Sequence, residues 1–160
     1  MVSRAWPILA LLLLAACMPE PPRPGVTTTP LGILTDLSID EAEDAVVAQL
    51  EALGFTVEDR RAAGLVMGRI ERGAPSGWAE CDRVLVHERD DRNRTQWAEA
   101  EDLGARVTVR FSELAGRTSV TVAPRFAGHY LDRFDNLPFD RACASQGMLE
   151  PLLLASASGG

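Results

Sequence analysis

Residues 107–122 read Val107-Thr108-Val109-Arg110-Phe111-Ser112-Glu113-Leu114-Ala115-Gly116-Arg117-Thr118-Ser119-Val120-Thr121-Val122. Val107, Val109 and Phe111 alternate with Thr108, Arg110 and Ser112; beyond a turn at Ala115-Gly116, Val120 and Val122 alternate with Ser119 and Thr121. Successive side chains of a strand point to opposite faces, so the stretch predicts a hairpin with one apolar and one polar face. An apolar sheet face must be covered, and the rest of the chain supplies the cover.

Upstream, Phe55 to Glu58 and Leu65 to Ile70 read as two short strands around the turn-prone stretch Arg60 to Gly64. Gly73 to Gly77 is a loop by composition. Trp78 to His87 is a third strand candidate that contains Cys81, and its run Val84-Leu85-Val86 is apolar throughout, as for a strand covered on both sides. Glu88 to Gly104 carries charges of both signs and is expected to interrupt the sheet as a long loop, or as a short helix around Trp97 to Leu103. The Trp97 ring is expected to pin that insertion against the core; the alternative is exposure to a partner.

Two helices flank these strands. Ser38 followed by Glu41 forms a capping-box pattern, and Ile39, Ala42, Val46, Leu50 and Leu53 recur at helical spacing until Gly54. Asp40, Glu41, Glu43 and Asp44 lie near its start, where they complement the helix dipole; they read as solvated surface rather than a metal site. After the hairpin come His129 and Tyr130, then Phe134 to Phe139 as a loop with aromatic anchors. Met148, Leu149, Leu152, Leu153 and Leu154 suggest a short C-terminal helix with Pro151 in its first turn.

The expectation is an α+β fold: a mostly antiparallel sheet of about five strands, with an N-terminal helix and a short C-terminal helix on one face. The other face carries Arg69, Thr108, Arg110, Ser119 and Thr121, of which Arg69 and Arg110, together with Trp97, are candidate partner contacts. In outline the order of elements is similar to the helix-and-sheet modules of some outer-membrane assembly lipoproteins.

Further out lies the N-terminus. Arg4 precedes an apolar run from Ile8 to Ala16, and no acidic residue occurs before Cys17, the layout of an export signal. A membrane-spanning helix needs ~20 apolar residues, and this run is about half that. Leu14-Ala15-Ala16-Cys17 resembles the lipobox of bacterial lipoproteins in all four positions. The resemblance implies that the Cys17 thiol is lipidated and that cleavage falls before it; two or more acyl chains would hold stably in a membrane. Met18, where inner-membrane members of that class often carry aspartate, implies the inner leaflet of the outer membrane, facing the periplasm. Pro19, Pro21, Pro22, Pro24 and Pro30 then favour extended polyproline geometry at ~3.1 Å per residue, a stand-off arm of roughly 40 Å. The expected organisation is a signal peptide over 1–16, a lipidated cysteine and linker over 17–35, one periplasmic domain over 36–157 and a frayed tail over 158–160.

The formal charge is −7 and every basic residue is an arginine. Such acidity argues against nucleic acid, and the absence of lysine excludes Schiff-base chemistry and a phosphate-loop lysine. With Cys17 lipidated, Cys81 and Cys143 remain as an even pair in an oxidising compartment and are expected to form a disulfide. Two separate thiols, or a zinc site shared with His87 and His129, are the alternatives; no pair has close zinc-ligand spacing.

No nucleophile elbow, HExxH, calcium loop or phosphate cradle occurs, and neither histidine has a partner fixed by sequence. Asp90, Asp91, Asp132 and Asp135 could be assembled by the fold into a carboxylate pair. No cofactor and no metal site is read from the sequence. The function expected is that of a membrane-anchored, non-catalytic lipoprotein that contacts another envelope protein; a small-molecule or glycan-fragment binder is the alternative, and a carboxylate-based hydrolase the weaker third.

Overall fold

The computed structural model describes residues 30–59, 64–87, 95–133 and 135–159. The motif Leu14 to Cys17, Met18, the prolines before Pro30, Arg60, Asp90, Asp91 and Phe134 lie outside the described residues, as does the side chain of His87.

The long hairpin is the frame. β7 (Asp102–Leu114) and β8 (Arg117–Asp132) pair antiparallel over their whole common length, joined by Ala115 and Gly116 at φ 54° and 76°. Positive φ at both central residues is the hairpin turn whose twist matches that of the strands. β3 (Leu65–Ile70) pairs with the outer edge of β7, and β2 (Thr56–Asp59) pairs with β3. The far edge of β8 is shared: β1 (Leu31–Thr35) covers Thr118 to Val122 and β9 (Leu137–Ser145) covers Phe126 to Asp132. Pro124, which cannot donate to a ladder, falls in the gap between them. β4 (Ala79–Glu80) pairs with the end of β9.

The sheet therefore has seven strands rather than about five, and all its described pairings are antiparallel. The two strands least expected are β1, which lies in the stretch assigned to the linker, and β9, which replaces the expected loop from Leu137 onward. Trp78 to His87 is not one strand. Ser76–Trp78 is a 3₁₀ turn, β4 follows it, and β5 (Val84–His87) leaves the sheet to pair with β6 (Thr95–Ala98) as a separate two-stranded ribbon. Hence Trp97 lies on a strand, and Leu103 belongs to β7, not to a helix.

α1 (Ile39–Ala52) opens on the capping box: Ser38 Oγ accepts from the Glu41 N–H at 3.3 Å while Glu41 Oε2 accepts from the Ser38 N–H at 2.9 Å. It closes at Gly54, φ 86°. α2 (Leu149–Ala157) has Pro151 in its first turn and is finished by a turn at Ser158 and Gly159. The two helices pack against each other and onto one sheet face. Val46, Leu50, Leu149 and Leu153 from the helices meet Val66, Val107, Val109, Val120 and Val122 from the strands, all fully buried. Phe55 stacks on Trp78 with centroids 5.9 Å apart, closing one end of the core.

Cys81 and Cys143 are joined in a disulfide, with Cα atoms 4.5 Å apart, which ties the loop after β4 to β9. Both sulfurs are thereby committed, which removes the zinc alternative.

Candidate functional site

Two surface features stand apart from the core. The first is the ribbon β5–β6. Leu85 and Trp97 are cross-strand neighbours, and they remain 42 % and 53 % exposed. The indole does not pin the insertion against the core. A two-stranded ribbon has no third strand or helix on its outer face, so both side chains meet solvent. Beside the ribbon a cleft of about 340 Å³ is lined by Val86, Trp97, Glu99, Glu101, Leu131 and Arg133. Arg133 reaches Glu101 at 3.7 Å, and Arg83 reaches Glu99 at 3.2 Å.

The second feature is the sheet face opposite the helices. Strand register places Arg69, Thr108, Arg110, Ser119 and Thr121 on it, as expected. It also brings Arg106 and Arg125 there, which the sequence reading missed. The signal was available in the parity: with Val107 and Phe126 facing the core, their neighbours Arg106 and Arg125 must face outward.

At the end of this face sits His129, within β8 rather than after it. Its Nδ1 is 2.6 Å from Asp140 Oδ1 and its Nε2 is 2.8 Å from the Glu71 carbonyl oxygen. The carbonyl and an ionised carboxylate only accept, so the arrangement is fully satisfied when both ring nitrogens donate, which favours the protonated ring. Burial works against that charge, but the bond to the Glu71 carbonyl and the bond and charge of Asp140 outweigh it and raise the pKa above the ordinary histidine value. With both nitrogens engaged, neither is poised as a general base. The ring is a clamp between β9 and the segment after β3.

Next to it, Asp102 Oδ1 accepts from the Gly73 and Leu103 N–H groups, both at 2.8 Å, and these bonds hold its carboxyl below the usual range. Asp132 accepts from the Asp135 N–H at 3.5 Å, a turn contact and not two acids facing across a cleft. Tyr130 donates to the Asp82 carbonyl at 2.7 Å and stacks on Phe139, so it is structural. Among the described residues no group of three or more acidic, histidine or cysteine side chains is arranged to hold a metal ion, and no helix is long and apolar enough to cross a membrane.

No protein-family model and no curated protein matches this chain.

Proposed function

We propose that the protein is a lipid-anchored envelope lipoprotein, held by acyl chains on Cys17 in the outer membrane facing the periplasm, whose folded head binds another envelope protein and performs no chemistry of its own. The observation that carries the binding role is the exposed pair Leu85 and Trp97, presented on a ribbon that is not hydrogen-bonded into the main sheet. Large aromatic side chains left in solvent beside an aliphatic neighbour are the usual anchors of protein interfaces, because their burial stabilises a complex with little loss of side-chain freedom. The Cys81–Cys143 disulfide supports an oxidising compartment. The engaged His129 supports a non-catalytic head.

The test has two parts. A photo-crosslinking residue at position 97, in cells, should trap one discrete adduct that is missing when the same residue is placed at Ser112; no adduct, or the same adducts from both positions, refutes the interface. Cys17→Ser should abolish fatty-acid labelling and leave an uncut precursor, and persistent labelling refutes the anchor.

The cleft beside Trp97, with its carboxylates and Arg133, favours a second reading as a binder of small polar ligands such as a glycan fragment. Saturable quenching of Trp97 fluorescence by soluble cell-wall sugars, without any adduct from position 97, would select it.

A further inference from the structure

Arg69, Arg106 and Arg125 occupy directly opposed positions on three consecutive strands, β3, β7 and β8. Neighbouring strands lie about 4.8 Å apart, so three guanidinium stems rise side by side from one sheet face. Like charges directly opposite each other destabilise a sheet, and this chain has acid to spare for neutralising them: 23 acidic residues against 16 basic. Yet the neutralisation is partial. Arg69 is held by Glu58 at 3.3 Å and by Glu71 at 3.0 Å. Arg106 and Arg125 have no acidic partner among the described residues, and both are exposed.

The next rung of the same face is Gly104 opposite Ala127, two residues with almost no side chain. Beyond them the His129 ring, fixed to Asp140 and Glu71, forms a far wall. Arginines on one side, a low floor, and on the far side the His129 ring with its bonded Asp140 carboxylate and Glu71 leave a hollow of about 280 Å³, in which the acids stand at the end away from Arg106 and Arg125. Gly104 is required for this shape: a Cβ there would come within 2.7 Å of the Glu71 carbonyl oxygen and 3.0 Å of His129 Nε2.

We propose that this hollow binds a phosphoryl group, gripped by the paired forks of Arg106 and Arg125. A guanidinium offers planar, paired N–H donors that match phosphate oxygens two at a time, and two forks on adjacent strands can hold one tetrahedral dianion between them. The volume lies just below that of ordinary small-molecule pockets, which suits one phosphate with its immediate substituent. The group can come from a free phosphate or from a lipid headgroup; both present the same oxygens. This site is independent of the Leu85 and Trp97 interface.

The experiment uses the full chain in non-ionic detergent at constant ionic strength set by chloride, titrated calorimetrically with inorganic phosphate and, separately, with dihexanoyl phosphatidic acid. Saturable binding is expected, weakened at least about tenfold in Arg106→Gln and in Arg125→Gln. Arg141→Gln, which removes one charge from an exposed position on the other face, should leave it within about twofold. Equal affinity for the two ligands supports a free phosphate as occupant, and tighter binding of the lipid supports a headgroup. Should a glutamine variant fail to fold, Arg106→Lys, which keeps the charge and loses the fork, should still weaken binding several-fold. Absence of heat with both ligands, binding unaffected by the Arg106 and Arg125 changes, or an equal loss in Arg141→Gln would overturn the proposal.

Discussion

His129 is the residue on which the open face is most finely balanced. Its folded pKa lies above the ordinary value of 6.5, so the stabilisation that it brings is fully present below about that pH and is lost as pH rises through the folded value. The difference in thermal midpoint between the wild-type protein and His129→Gln should therefore shrink from pH 6 toward pH 9; a difference that grows with pH would show that the ring is not held as a cation. Gly104→Ala should act on the same contact from the other side. The added methyl group must push the ring or the Glu71 carbonyl away, a loss of about 1–3 kcal/mol in chemical denaturation. Neither effect could be read from sequence. His129 looked unpartnered because its two acceptors, Asp140 and the Glu71 carbonyl, come from distant parts of the chain that only the register of β8 brings together.

At the scale of elements, legibility followed the strength of local chemistry. α1 announces itself through Ser38, Glu41 and the spacing up to Leu50, because cap and apolar stripe are written in contiguous residues. Ser38→Ala should lower the unfolding free energy by about 1 kcal/mol, read from a denaturant midpoint, since it removes the hydroxyl that accepts from the Glu41 N–H and donates to Glu41 Oε2, leaving only the bond from the residue 38 backbone N–H to Glu41. β7 and β8 show clean alternation over 107–112 and 119–122, β2 and β3 read as short strands on either side of a turn-prone stretch, and all four were expected. β9 was not, because it lies along the sheet margin and carries Asp140, Arg141 and Pro138 among its apolar positions, so that its pattern is diluted by solvent-facing residues. β1 was hidden by its position next to a proline-rich stretch. The ribbon β5–β6 was read as sheet and then as insertion because an apolar triplet such as Val84-Leu85-Val86 specifies a strand without specifying its partner. Of the candidate site, Arg69 and Arg110 were legible as outward-facing residues, whereas Trp97 was expected against the core and exposure was only the alternative. The pairing of Arg106 with Arg125 was not legible, since it depends on which residues face each other across two strands.

For the whole molecule, the decisive covalent fact is the bond between Cys81 and Cys143, which are 62 residues apart in sequence. In the chain-entropy picture, closing a loop of that size stabilises the fold by about 4 kcal/mol. The double variant Cys81→Ala and Cys143→Ala should show that loss in equilibrium unfolding under oxidising conditions; unchanged stability would mean that the core alone determines it. The same bond has a mechanical consequence. If the molecule were gripped ahead of Leu31 and drawn out from Gly159, tension would unravel β1, α1, β2 and β3 as far as Cys81 and then jump through sulfur to Cys143. The hairpin β7–β8, the ribbon with Trp97 and both unpaired arginines lie inside the bypassed loop, so stretching the chain end to end cannot extend them.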